Sequence, residues 1–251
     1  MSEGVFGSGG FLEDVALGNI SSLQVWNKFG YNAAFGIGTE VVASFGGTYG
    51  PLLVAAPISF VSTSIEDASG GTGCAILVIT GVDSNWKTVT EIVGLTGTTP
   101  VVTGLSYFGI DRVAVYLCGS SLSNVGTITG TETGGSTTQA QLPAGEGTTQ
   151  QMIYTTPEGG TAMLTDLIMN VIKTGSGAAP TVDVKGWVYS HVSQAKYEIF
   201  RYHIDTSHEN HLTIHQQVPF IVGEKSVIWF EATTDKANTE ITMRMSFLEH
   251  E

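Results

Sequence analysis

Basic residues, cysteines and long apolar runs are all scarce in this sequence. Of its 251 residues only 10 are Lys or Arg, against 23 Asp or Glu, for a formal charge of −13. The cations are scattered, 3 before residue 141 and 7 after it. A nucleic-acid binder gathers Lys and Arg to displace counterions from phosphates, so direct binding to DNA or RNA is not expected. Two cysteines, Cys74 and Cys118, are too few for a secreted disulfide scaffold. Each lies in an apolar, strand-like run and reads as a buried free thiol. No apolar run approaches the ~18 residues of a membrane span. The opening Met1-Ser2-Glu3-Gly4 lacks the basic and apolar regions of a secretory leader. Ser2 also stands where N-myristoylation requires glycine. The expected setting is a reducing cytoplasm.

What is present points to β-structure. Hydrophobic residues make up 42% of the chain, too many for a disordered one. The 32 glycines have no three-residue period, which excludes collagen. Charged residues, at 13%, are too few for a coiled coil. Short Val-, Ile- and Thr-rich runs alternate with Gly, Asn, Asp and Ser about every ten residues, the rhythm of a sandwich or barrel. In residues 241–248, Ile241, Met243, Met245 and Phe247 alternate with Thr242, Arg244 and Ser246, the cleanest period-2 pattern of the chain. Val182, Val184 and Val188 share one parity, and Met163, Leu167, Met169 and Val171 another that Thr165 breaks. Only residues 12–17 suggest a turn or two of helix. Residues 129–151 are a composition break rich in Thr and Gly.

The expected fold is therefore all-β, with two β-sandwich domains. A mostly irregular N-terminal arm spans 1–35, a first sandwich 36–130, a linker 131–148, and a jelly-roll-like sandwich 149–251. Exposed aromatics on the arm, Trp26, Phe29 and Tyr31, are expected to anchor a partner or to pack on their own domain.

No pattern commits the chain to chemistry. His208-Glu209-Asn210-His211 lacks the second His four residues after the first that a zinc peptidase needs. His211 and His215 share a strand face but stand about 13 Å apart at ~3.3 Å per residue, too far for one metal. Gly119-Ser120-Ser121-Leu122-Ser123 lacks the closing Gly of a nucleophile elbow. Asp83-Ser84-Asn85 lacks the final carboxylate of a calcium loop and suits a turn. No metal, cofactor or catalytic residue is expected, and the protein is expected not to be an enzyme. A polysaccharide hydrolase would need a carboxylate pair ~5–10 Å apart across a cleft. Trp187 and Trp229 are residues for an interface or a glycan-stacking platform.

Several stretches are familiar as a set: 26–32, 81–86 with 96–101, 123–128, and 144–147 leading into 153–157. The set resembles virion structural proteins of tailed bacteriophages, especially podovirus-like phages of marine bacteria and cyanobacteria. The resemblance implies a capsid decoration, cement or head-fibre protein on the capsid surface, assembled in the host bacterial cytoplasm. It implies partnership with the major capsid protein or other virion proteins, and a homo-oligomer, by analogy a trimer. It supplies no catalytic residues. A tail-fibre or receptor-binding module contacting host glycans is the alternative. On this reading, deleting 1–35 abolishes docking and leaves the C-terminal domain folded.

Overall fold

A computed structural model describes residues 10–250. Along the chain run α1 (Phe11–Ala16), β1 (Leu23–Phe35), β2 (Gly38–Val41), β3 (Ile58–Ser62), β4 (Cys74–Asp83) and β5 (Thr88–Gly94). Next come β6 (Val101–Val102), β7 (Tyr107–Cys118), β8 (Ile128–Glu132), β9 (Thr138–Leu142) and β10 (Ile153–Thr156). The last are β11 (Thr161–Lys173), β12 (Thr181–Ser190), β13 (Ala195–Asp205), β14 (His211–Val222), β15 (Ser226–Thr234) and β16 (Thr239–His250). The fold is all-β, built from four small antiparallel sheets.

Two sheets share the larger core. One has the order β1-β16-β11-β14; the other has β10-β15-β12-β13, with β2 also on β15. Period-2 alternation sends one side of each strand inward. Ile241, Met243, Met245 and Phe247 of β16 are buried, and so are Val182, Val184 and Val188 of β12. Both sets belong to one apolar cluster. β11 changes parity part-way. Ala162 and Leu164 face in, a bulge between Leu164 and Asp166 resets the register, and Leu167, Met169 and Val171 then face in. Met163, expected on the inward side, is only half-buried for that reason.

The other two sheets, β6-β3-β8-β9 and β5-β4-β7, enclose a second core that includes Phe60, Leu77, Ile79, Val113 and Leu142. Asp67 ties this lobe together. Its buried carboxylate accepts hydrogen bonds from Ser62 Oγ at 2.5 Å, Cys74 N at 2.8 Å, Val125 N at 2.9 Å and Gly126 N at 2.8 Å. Cys74 and Cys118 are both free and stand opposite each other on β4 and β7.

This lobe is an insertion. The chain lays down β1 and β2 in the larger lobe, leaves it, and returns at Gln150. Ser44 N donates to Gln150 O at 3.0 Å and Ala43 bridges Gln151, so the two crossing points lie side by side. The larger lobe is thus discontinuous.

Two sequence expectations need correction. The stretch 23–35 is not an irregular arm. It is β1, paired with β16 from Leu23↔His250 to Phe35↔Thr239. Its inward positions are Trp26, Lys28, Gly30 and Asn32, and such a mixture hides the alternation. Gly30 is required there, because a Cβ would lie 2.3 Å from Met152 Cγ and 2.7 Å from Val42 O. Residues 1–9 of the expected arm lie outside the described residues. The expected linker 131–148 is also structured, since it carries β9, which pairs with β8. Its small polar residues suit a short, half-covered edge strand as well as a linker.

Candidate functional site

The lobes meet where β7 crosses β1 and β10. Lys28 is 8% exposed, and its ammonium donates to the main-chain oxygen of Asp111. The buried Asp111 carboxylate accepts from Thr155 N at 2.8 Å. Gln151 Nε2 donates to Ile110 O at 2.9 Å. The backbones approach so closely that a Cβ on Gly109 would lie 2.0 Å from Thr155 Oγ1. Burial drives the Lys28 ammonium well below its usual range and the Asp111 carboxyl well above its own. Their mutual attraction opposes both shifts without cancelling them, and Glu249 adds to the rise at Asp111.

Beside this seam lies a pocket of about 300 Å³. Trp26 and Phe29 are its aromatic lining, from opposite sides of β1; Lys28, Asp111, Arg112 and Gln151 are among its polar lining. Trp26 Nε1 and Gln151 Oε1 are buried with no hydrogen-bond partner among the described residues. Phe29 is 45% exposed. Two of the three residues expected to anchor a partner therefore line one pocket. Tyr31 does not line it, and its hydroxyl is held protonated to higher pH mainly by partial burial, with Glu240 adding to the shift.

Pairing register carries the surface on from this pocket. Arg112 lies opposite Thr80, which lies opposite Thr90; one row on, Ala114, Val78 and Ile92 align. Ala114 also bridges Thr148, and Arg112 Nε reaches Thr148 Oγ1 at 3.4 Å. The face opposite the insert's core thus presents Val78, Ala114 and Ile92, the last 56% exposed, with Tyr116 62% exposed beyond them. None of these named residues is a carboxylate, and the exposed Glu146 lies just beyond Thr148, where it accepts from Gln150 Nε2 at 3.0 Å. The one charged residue among those named, Arg112, makes no ion pair among the described residues, whereas Lys87 pairs with Glu158 at 3.4 Å. The sequence does not reveal this face, because in a continuous apolar run such as 74–79 nothing marks which side is exposed.

A second contact between lobes stacks Trp86 on Phe108 at 3.9 Å, with His191 edge-on to both. Desolvation lowers the His191 pKa, and its Nε2 has no partner among the described residues.

The expected stacking platform is not formed. Trp229 is 1% exposed, packs on Tyr49 and donates from Nε1 to Glu231 Oε1 at 2.9 Å. Trp187 is half-buried beside it, and the Lys196 ammonium lies 4.1 Å over its ring. Both rings are committed to a small core outside β15 and β12. The histidines pair locally: His203 with Asp183 at 2.8 Å, His208 with Asp205 at 3.2 Å, and His215 with Asp166. Among the described residues no three His, Cys, Asp or Glu converge on a metal position, and no helix is long and apolar enough to cross a membrane.

No family model and no curated protein matches the chain. Two solved structures of infectious bursal disease virus align over most of its length. The Gt strain structure is 8% identical, covers 97% of this chain and 82% of its own, and has a TM-score of 0.18. The VP2 subviral particle is 8% identical, covers 91% and 76%, and has a TM-score of 0.19. Scores this low establish no shared fold.

Proposed function

We propose that the protein is a non-enzymatic structural component of a tailed-phage virion, a decoration or cement protein that docks on the capsid and self-associates. The observation that carries this reading is the uncovered apolar face of the insert around Val78, Ala114, Ile92 and Tyr116, on a chain of net charge −13. Uncovered apolar patches of this kind mark interaction sites. Two further points support it. One is the sequence resemblance to phage virion proteins.

The other is the strand order of the larger lobe. Counting β1, β2 and β11–β16 as first to eighth, one sheet runs first-eighth-third-sixth, and the other pairs second-seventh-fourth-fifth. We read that order as a jelly roll, an architecture of viral capsid and lectin domains. The fold by itself does not choose among the functions it hosts; the apolar face and the resemblance favour assembly. The major capsid protein is the proposed partner and a trimer the proposed oligomer, both from the resemblance.

Purified protein is mixed with expanded capsids of the cognate phage and imaged. Added density at fixed lattice points is expected. Ile92→Asp is expected to cut occupancy tenfold or more, as central interface substitutions do. Capsids without added density, or bound equally by the variant, would overturn the reading.

A further inference from the structure

The pocket at the lobe seam and the apolar face share Arg112 and Thr148. They therefore form one continuous surface, flat over β5, β4 and β7 and concave at β1. A flat apolar face gives area. A pocket gives the anchor in which binding energy concentrates. At about 300 Å³ the pocket stands at the bottom of the ~300–1,000 Å³ range of small-molecule sites. It has room for one bulky side chain and its flanking atoms.

Its chemistry selects that side chain. Trp26, on the inward side of β1, offers an aromatic wall. Gln151, 1% exposed, brings an acceptor that nothing among the described residues satisfies. A buried acceptor left unsatisfied is costly until a donor arrives. Arg112 stands at the mouth with no carboxylate partner among the described residues. Lys28, the other cation of the pocket, is already occupied by Asp111 O. We infer that the pocket receives a protruding peptide segment of the docking partner, with an aromatic side chain against Trp26, a carboxylate on Arg112 and a backbone N–H towards Gln151. This rests on the docking function proposed above and names the chemistry of the partner.

N-Acetylphenylalaninate is the minimal probe, because it carries the ring, the amide N–H and the carboxylate. The uncharged N-acetylphenylalanine amide and the ringless N-acetylalaninate serve as comparisons. The readout is the indole N–H resonance of Trp26 in the full chain, assigned through Trp26→Phe. N-Acetylphenylalaninate is expected to shift it saturably in the millimolar range. The amide form should bind about fivefold more weakly, the worth of one exposed ion pair, and N-acetylalaninate should not bind. Arg112→Gln, an exposed and mild change, should erase the difference between acid and amide. No saturable shift, equal binding of acid and amide, or an unchanged preference in Arg112→Gln would each overturn the inference. Capsid binding separates it from the docking reading. If wild type and Arg112→Gln decorate capsids equally, the pocket inference fails and the docking reading stands. If no capsid is decorated while N-acetylphenylalaninate binds as expected, the docking reading fails and the pocket stands.

Discussion

Lys28 and Asp111 occupy a position where an apolar pair would pack at least as well. Taking two charges out of water costs more than their attraction returns unless every lone pair and proton is matched. Here the ammonium reaches the main-chain oxygen of Asp111, and the carboxylate accepts from Thr155 N. The pH dependence follows from the directions of the two shifts. The folded protein holds a proton on Asp111 that the unfolded chain has released, so stability falls as pH climbs above the usual 3.8. It gives up a proton from Lys28 that the unfolded chain retains, so stability recovers as pH climbs towards 10.5. The pair's contribution is least near neutrality, where both groups are charged. The double variant Lys28→Met/Asp111→Asn keeps an acceptor for Thr155 N and removes both charges. It is expected to melt several degrees higher than wild type at neutral pH, on the order of 1 kcal/mol or more. The gain should shrink towards pH 4 and towards pH 10. Melting curves across that range check it, and equal stability at neutral pH would refute it.

β1 shows how elements escape a reading of sequence. β16 was legible because Ile241, Met243, Met245 and Phe247 are large and apolar and Thr242, Arg244 and Ser246 between them are polar. β12 was legible from the shared parity of Val182, Val184 and Val188, with Gly186 as a gap between them. In β1 the inward positions hold a lysine, a glycine and an asparagine, each placed by a contact distant in sequence: Lys28 by Asp111, Gly30 by Met152 and Asn32 by Glu40. Local periodicity cannot register such contacts. The same limit applied at the site. The aromatic character of 26–29 was visible, and its convergence with Arg112 and Gln151 was not.

The corrected position of β1 reverses the outcome expected for truncation. Deleting 1–22 leaves every strand intact and should change the melting temperature little. Deleting 1–35 removes the strand that covers β16, together with fully buried Phe35. Losing a core Phe alone costs about 3–5 kcal/mol out of a usual total of 5–15. The longer deletion is expected to lose cooperative folding altogether. Circular dichroism melts of the two truncations distinguish the outcomes, and a stable, cooperative 36–251 chain would contradict the assignment.

In the whole molecule, one compact unit is spliced into another between β2 and β10, which pair one after the other along β15. The inserted unit has its own core, and the chain crosses into and out of it at adjacent points. Domain insertion is tolerated where the two ends lie close together. Residues 50–148 produced alone are therefore expected to fold with a single cooperative transition. They should be less stable than in the intact chain, because Gly109, Asp111, Trp86 and Phe108 lose their opposing surfaces. Calorimetry of the fragment tests this, and a fragment without a melting transition would show that the insert depends on its host.

The pairing of β1 with β16 also has a consequence for synthesis. Leu23 leaves the ribosome 227 residues (250 − 23) before its neighbour in the sheet, His250. At ~5–20 residues per second the first strand waits on the order of 10–40 s for its partner. During that wait the insert can complete its own core, while β1 remains an unpaired ribbon bearing Trp26 and Phe29. The larger lobe closes only once β16 has emerged, so premature termination anywhere upstream of β16 leaves a finished insert tethered to an open sheet.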